Sequence, residues 1–252
     1  MNHTLLFLLP GWGMPSAVWQ PLLPALENWF QPVCADWRDI HDVAGFDRYV
    51  ASLLADHAGD RFSIMGWSLG SLAALRAAAL FQERVKHLVL FGATSRFVRD
   101  DRGEQQLGWP KRMVERMKRQ LLENREQTLD AFYHSMFSGE EIRRGLDRRL
   151  IGQLQETNRA FSTDQLAAGL DYLMQADAAD SLPEIRSAVL LIHGEADPIC
   201  PVDGSRRIAS RVSGPVRVEI LPDTGHVPFY TQPERCLSAI REMVKYGDCE
   251  NR

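Results

Sequence analysis

The chain has 252 residues, 45% hydrophobic and 25% charged, and its 29 basic against 33 acidic side chains leave a formal net charge of -4. Those proportions exclude a disordered, collagen-like or coiled-coil chain. They also supply no overall positive field to hold a nucleic acid, so no nucleic-acid partner is expected.

The first apolar run, Leu5 to Leu9, stops at Pro10-Gly11, far short of the roughly 20 residues that cross a bilayer. It lacks the basic and small-residue flanks of a secretory leader and reads as a buried strand. Further strand-like runs follow at 32–36, 62–65, 85–91, 188–193 and 216–221. Helical patterns at Phe46 to His57, Leu69 to Phe81, Asp203 to Arg211 and Pro233 to Tyr246 separate them. Continuous apolar strands alternating with helices predict a doubly wound, mostly parallel sheet of about six strands, covered on both faces.

Between Ser95 and Leu182 the alternation fails. Helical patterns at Lys111 to Asn124, Gln127 to Phe137, Glu140 to Glu156 and Asp164 to Gln175 predict an inserted helical lid over the carboxyl ends of the strands. The expected division is a core of residues 1–95 and 183–252 with a lid of residues 96–182. Cys34, Cys200, Cys236 and Cys249 form no C-x-x-C pair, and no H-x-x-x-H spacing stands out. The expectation is a reduced cytoplasmic protein with no metal, no cofactor and no membrane contact. A monomer is the starting expectation for its assembly.

Gly66-Trp67-Ser68-Leu69-Gly70 is a G-x-S-x-G sequence set directly between a strand and a helix. A serine at such a turn takes strained dihedrals that expose its hydroxyl, and the glycines let neighbouring backbone approach. Ser68 is the candidate nucleophile. A serine hydroxyl needs a base, and the base needs an orienting acid, in the chain order Ser, Asp, His. Asp197 follows the strand at 188–193 and His226 follows the strand at 216–221, both at the same sheet edge as Ser68. Asp197 would accept the imidazole Nδ1–H, and His226 Nε2 would take the Ser68 proton. Glu195 is the second choice for the acid, and His193 is expected only to pack or bond locally.

Charge developing on the carbonyl oxygen requires preorganised N–H donors, each worth roughly 3 to 4 kcal/mol of barrier. The Leu69 N–H supplies one, and the Trp12 N–H, in Pro10-Gly11-Trp12-Gly13-Met14 after the first strand, is chosen as the other. That loop lacks the spacing of a dinucleotide or phosphate loop. Trp12, Trp67, Phe97, Phe132 and Phe229 are the aromatic candidates for an acyl channel.

With these residues in place the chain resembles an α/β-hydrolase over nearly its whole length. More narrowly it resembles the pimeloyl-[acyl-carrier-protein] methyl ester esterases of biotin synthesis. The matching residues are Gly11-Trp12-Gly13-Met14 with Ala17-Val18-Trp19, Gly66 to Leu72, Ser95-x-Phe97 with Gly108-Trp109-Pro110, and Gly225-His226-x-Pro228-Phe229. The resemblance implies a serine carboxylesterase that forms an acyl-enzyme and releases methanol from the carrier-bound ester. It also implies that Phe132 faces the pocket.

Pro10 stands where many relatives carry histidine, which leaves the backbone donors in place. The chain starts almost at the oxyanion strand, so the N-terminal edge strands of a complete sheet are expected to be missing. The resemblance implies an acyl carrier protein as partner, held by lid arginines. Arg144 and Arg148 match two of those positions, whereas the other two fall near Gln127 and Ala131. Arg144 and Arg148, four apart on one expected helix face, could reach neighbouring anionic groups of an acidic carrier. Residues 111–125 carry six basic and two acidic side chains, and 143–159 carry five and two, although the lid as a whole is balanced. A general short-chain esterase, a thioesterase or a carbon-carbon bond hydrolase would use the same triad, and a non-catalytic binding protein would not need it.

Overall fold

The apolar runs form six strands: β1 (Thr4–Leu9), β2 (Phe30–Cys34), β3 (Phe62–Trp67), β4 (Val85–Phe91), β5 (Ala188–Gly194) and β6 (Val216–Leu221). The computed structural model describes residues 3–57, 61–99, 107–154 and 161–249. All neighbouring strands pair in parallel, in the order β2-β1-β3-β4-β5-β6. Residues of β3, β4 and β5 are buried along almost their full lengths, so both faces of the central sheet are covered. β6, at an edge, is exposed at its start. β2 lies two residues earlier than the run at 32–36 suggests. Its Pro32 is tolerated at a sheet edge, and Asp36 leaves the strand to accept hydrogen bonds from the Arg38 N–H and guanidinium.

Helices α1 (Leu23–Leu26), α2 (Val43–Ala55) and α3 (Leu69–Leu80) lie in the N-terminal half. The sequence LGSLAALRAAAL of α3 is buried on nearly every side because the helix packs on β1, β3 and β4 while α2 covers it. Among the described residues five α-helices lie between β4 and β5: α4 (Lys111–Glu123), α5 (Arg125–Ser135), α6 (Gly139–Arg143), α7 (Leu146–Leu154) and α8 (Thr163–Gln175). Polar side chains start three of them. Asn124 caps α5, while Ser138 with Glu141 and Ser162 with Gln165 form capping boxes on α6 and α8. α9 (Asp203–Ala209), α10 (Pro228–Thr231) and α11 (Pro233–Cys249) complete the chain.

The insertion is anchored to the sheet layer. Tyr172 of α8 donates to Asp47 of α2 at 3.0 Å, and Asp47 also receives Arg76 of α3. Arg76 reaches on to the Asp177 carbonyl at 2.9 Å.

The single helix expected from Glu140 to Glu156 is two helices. Gly145, at φ 72°, breaks it, because a left-handed residue ends an α-helix and glycine takes that conformation without a Cβ clash. Arg144 therefore terminates α6 and Arg148 belongs to α7, so the two do not share one helix face. Both are exposed. Gln155, Glu156 and Arg159 lie outside the described residues. Among the described residues no helix is long and apolar enough to cross a membrane, and no group of three or more His, Cys, Asp or Glu is placed to hold a metal ion.

Candidate active site

Ser68 sits between β3 and α3 at φ 55°, ψ -118°, a conformation that L-residues rarely adopt. The turn is this tight because two glycines flank it. A Cβ on Gly66 would lie 2.6 Å from the Gly70 carbonyl oxygen, and one on Gly70 would lie 2.0 Å from that of Leu9 at the end of β1. Trp67 and Leu69 are buried while Ser68 remains partly exposed, so the turn presents the hydroxyl.

A second close approach brings the other two residues together. A Cβ on Gly194, the last residue of β5, would lie 2.1 Å from the Gly225 carbonyl oxygen. Only glycine permits the loops after β5 and β6 to run backbone against backbone there. The Ala196 N–H donates to Thr224 O at 3.0 Å across the same seam. Asp197 and His226 meet as a result, with His226 Nδ1 at 2.7 Å from Asp197 Oδ2 and both side chains wholly buried.

Both oxygens of Asp197 are engaged. Oδ1 accepts from the N–H groups of Ile199 and Cys200 at 2.8 and 2.9 Å, and His193 Nε2 lies 3.1 Å from Oδ2. Burial pushes the Asp197 carboxyl up, but the facing His226 charge and the hydrogen bonds from His193 and His226 outweigh it. They hold it well below the usual carboxylate range. The aspartate stays ionised at neutral pH, fixes Nδ1 of His226 as the protonated nitrogen and leaves Nε2 free to act as a base.

The His226 ring lies over Gly92, where a Cβ would stand 2.8 Å from its Nδ1 and Cε1. Gly92 follows Phe91, whose carbonyl accepts the Ser68 N–H at 3.1 Å. The His226 carbonyl accepts the Trp67 indole N–H at 2.8 Å. Ser68 and His226 are thus held through adjacent residues on both sides. His226 Nε2 is buried and has no hydrogen-bond partner among the described residues, so the link to the Ser68 hydroxyl is open here. Such links in ligand-free sites tighten in the substrate complex.

The N–H groups of Leu69 and Trp12 donate to no acceptor among the described residues. The Leu69 N–H belongs to the first turn of a twelve-residue helix, where unpaired donors and the helix dipole favour negative charge. Trp12 is pinned to the insertion: its indole N–H donates to Leu166 O at 2.8 Å, and its ring meets Phe132 edge-on at 5.0 Å. The Trp12 ring and the Leu69 side chain both flank Gly169 of α8. Phe132 is half-buried beside them, whereas Phe229 is core, packed between Trp19, Trp67 and Phe91. Phe97 stacks on Trp109. Trp67 is only 1% exposed and joins the Phe229 cluster, so its indole bonds the His226 backbone carbonyl rather than lining open space.

A model of the alpha/beta hydrolase family matches residues 6–239 of the chain. The chain belongs to the alpha/beta hydrolase family. The hydrolase is 30% identical over 94% of its length, and 94% of the relative's, to the pimeloyl-[acyl-carrier protein] methyl ester esterase of Nitrosomonas europaea. The enzyme of the same name from Photobacterium profundum is 28% identical over 95% of this chain and 94% of its own. A bromoperoxidase from Bacillus anthracis superposes with a TM-score of 0.87 at 17% identity, covering 97% of this chain and 92% of its own. That last likeness concerns the fold alone.

Two contributors to the hydrolase's site escape the sequence reading. His193 bonds Asp197 directly as well as Ser205 Oγ at 2.7 Å and Cys200 O at 2.9 Å. Its spacing of four residues from Asp197 is the one signal in the sequence that points to it. Glu195, the alternative acid, is exposed, and it is Asp197 that bonds His226. The second contributor is the segment entering α6, which touches the His226 loop through backbone and side chain.

Proposed function

We propose that this hydrolase cleaves the methyl ester of a pimeloyl-acyl carrier protein, releasing methanol and leaving the free acid on its carrier. One observation carries the reading: the Ser68 turn, the Asp197–His226 pair and the two N–H groups lie in a chain that is 28 to 30% identical to enzymes of that name over 94 to 95% of its length.

In this reading Ser68 Oγ attacks the ester carbonyl as His226 Nε2 takes its proton. The N–H groups of Trp12 and Leu69 receive the oxyanion, and Asp197 balances the imidazolium. The tetrahedral intermediate collapses with transfer of the proton from His226 to the leaving methoxide. Water then attacks the acyl-enzyme by the same route in reverse. The acyl chain runs alongside the Trp12–Phe132 pair, on the half-buried side of Phe132. The exposed Arg144 and Arg148 meet the acidic carrier from two short helices, an arrangement that acts on encounter and KM more than on chemistry.

Purified protein should convert the carrier-bound pimeloyl methyl ester to the acid, with turnover falling as salt rises. Replacing Arg144 and Arg148 together by alanine should raise KM several-fold and leave kcat near the parent value. Turnover of small soluble esters alone, with no carrier-bound product by mass spectrometry, would overturn the carrier substrate while leaving the ester chemistry standing.

A further inference from the structure

The loop that carries His226 is irregular, and three of the hydrogen bonds that shape it come from the helical insertion. Asp223 has φ 55°, an uncommon conformation for a non-glycine residue. Its carbonyl accepts Ser138 Oγ at 2.6 Å. The Gly225 N–H donates to Glu141 Oε2 at 2.9 Å, and the His226 N–H donates to Met136 O at 2.7 Å. A Cβ on Gly225 would lie 2.4 Å from Met136 O and 2.8 Å from Glu141 Oε2. Three attachments thus grip Asp223, Gly225 and His226 across more than 80 residues of sequence.

Glu141 is the centre of this grip. It is 2% exposed, and its Oε2 accepts both the Ser138 N–H, at 2.8 Å, and the Gly225 N–H. Its other oxygen, Oε1, is buried without a hydrogen-bond partner among the described residues. A carboxylate buried with one oxygen unsatisfied opposes stability, and a capping box needs no burial. What this placement does achieve is to fix the backbone next to His226.

We propose that Glu141 is a positioning residue for the base: from the N-terminus of α6 it holds the Gly225 N–H and so sets where the His226 ring stands relative to Ser68. The inference rests on His226 being the base of the reaction. The insertion is then a fixed part of the catalytic apparatus on this side as well as at the oxyanion loop, where Tyr133 donates to Gly13 O at 3.1 Å.

The test compares Glu141→Ala and Glu141→Gln with the parent protein on a soluble aryl ester, alongside the rate of Ser68 phosphonylation by a fluorophosphonate and the melting temperature. Misplacement of a catalytic group by an ångström costs up to about 100-fold. Glu141→Ala should therefore lose kcat by roughly 10- to 100-fold per active site, with KM unchanged and phosphonylation slowed in parallel. Glu141→Gln keeps an acceptor oxygen for the two N–H groups and should stay within a few-fold of the parent. If both variants melt lower but turn over at the parent rate per phosphonylatable site, Glu141 is structural only and the proposal is overturned. It is overturned equally if Glu141→Ala keeps the parent rate while Glu141→Gln loses it. A parent protein that neither hydrolyses the ester nor reacts with the probe would instead refute the reading of Ser68 and His226.

Discussion

Replacing Ser68 with alanine should lower kcat for ester hydrolysis by about 10⁶-fold and leave folding intact. The size follows from the arrangement around the residue. In the proposed mechanism Asp197 and His226 act by moving a proton from the Ser68 hydroxyl, so without that hydroxyl the relay would be idle and only substrate binding and the N–H donors would remain. Stability should change little. The alanine Cβ occupies the place of the serine Cβ at φ 55°, and Ser68 makes no side-chain cap to α3 that the substitution would remove. Steady-state kinetics and a thermal melt check both halves, and a Ser68→Ala protein with more than about 1% of the parent kcat would mean that another group attacks the ester.

The second large effect is expected at Asp197. An asparagine there keeps an oxygen for the Ile199 and Cys200 N–H groups but turns an amide NH₂ toward His226 Nδ1 and His193 Nε2. Donor then faces donor, and the His226 ring relieves the conflict by carrying its proton on Nε2, where it cannot act as a base. A loss of about 10⁴-fold in kcat is expected, with KM near the parent value.

The same substitution should change stability against pH. The Asp197 carboxyl is held below its ordinary value in the folded protein, so the unfolded chain binds the proton more readily. Its stabilising contribution is complete above the unfolded value near pH 4 and declines as pH falls below it toward the lower folded value. Melts taken from neutral pH downward should show a shallower acid decline for Asp197→Asn than for the parent. An asparagine variant within tenfold of the parent kcat would remove Asp197 from the relay.

The strands are legible in the sequence because they are short apolar runs bounded by glycine, proline or charge, and β4 and β6 fall on the predicted residues. Strand ends in a parallel sheet lie at one edge. That is why chain order alone places Ser68, Asp197 and His226 near one another. The insertion is less legible. Helical periodicity runs smoothly through Gly145, and only the positive φ, a tertiary outcome, separates α6 from α7. The Ser138-x-x-Glu141 spacing marks a helix start, but nothing in it announces that the same carboxylate reaches Gly225. His193 reads as the end of a buried strand, and its bond to Asp197 depends on the turn that follows. The glycines at 66, 70, 194 and 225 carry the site's shape through what their missing Cβ atoms allow, a property visible only with the neighbouring backbone in place.

The central claim is that Ser68 is the nucleophile activated by the Asp197–His226 pair. Its most direct test is intact-mass and peptide analysis after a fluorophosphonate that traps activated serines. One phosphonyl group per chain is expected, on the peptide containing Gly66-Trp67-Ser68-Leu69-Gly70, formed rapidly in the parent, slowly in Asp197→Asn and not at all in Ser68→Ala. Labelling elsewhere, or continued ester hydrolysis by a protein in which Ser68 is unmodified by the probe, would contradict it.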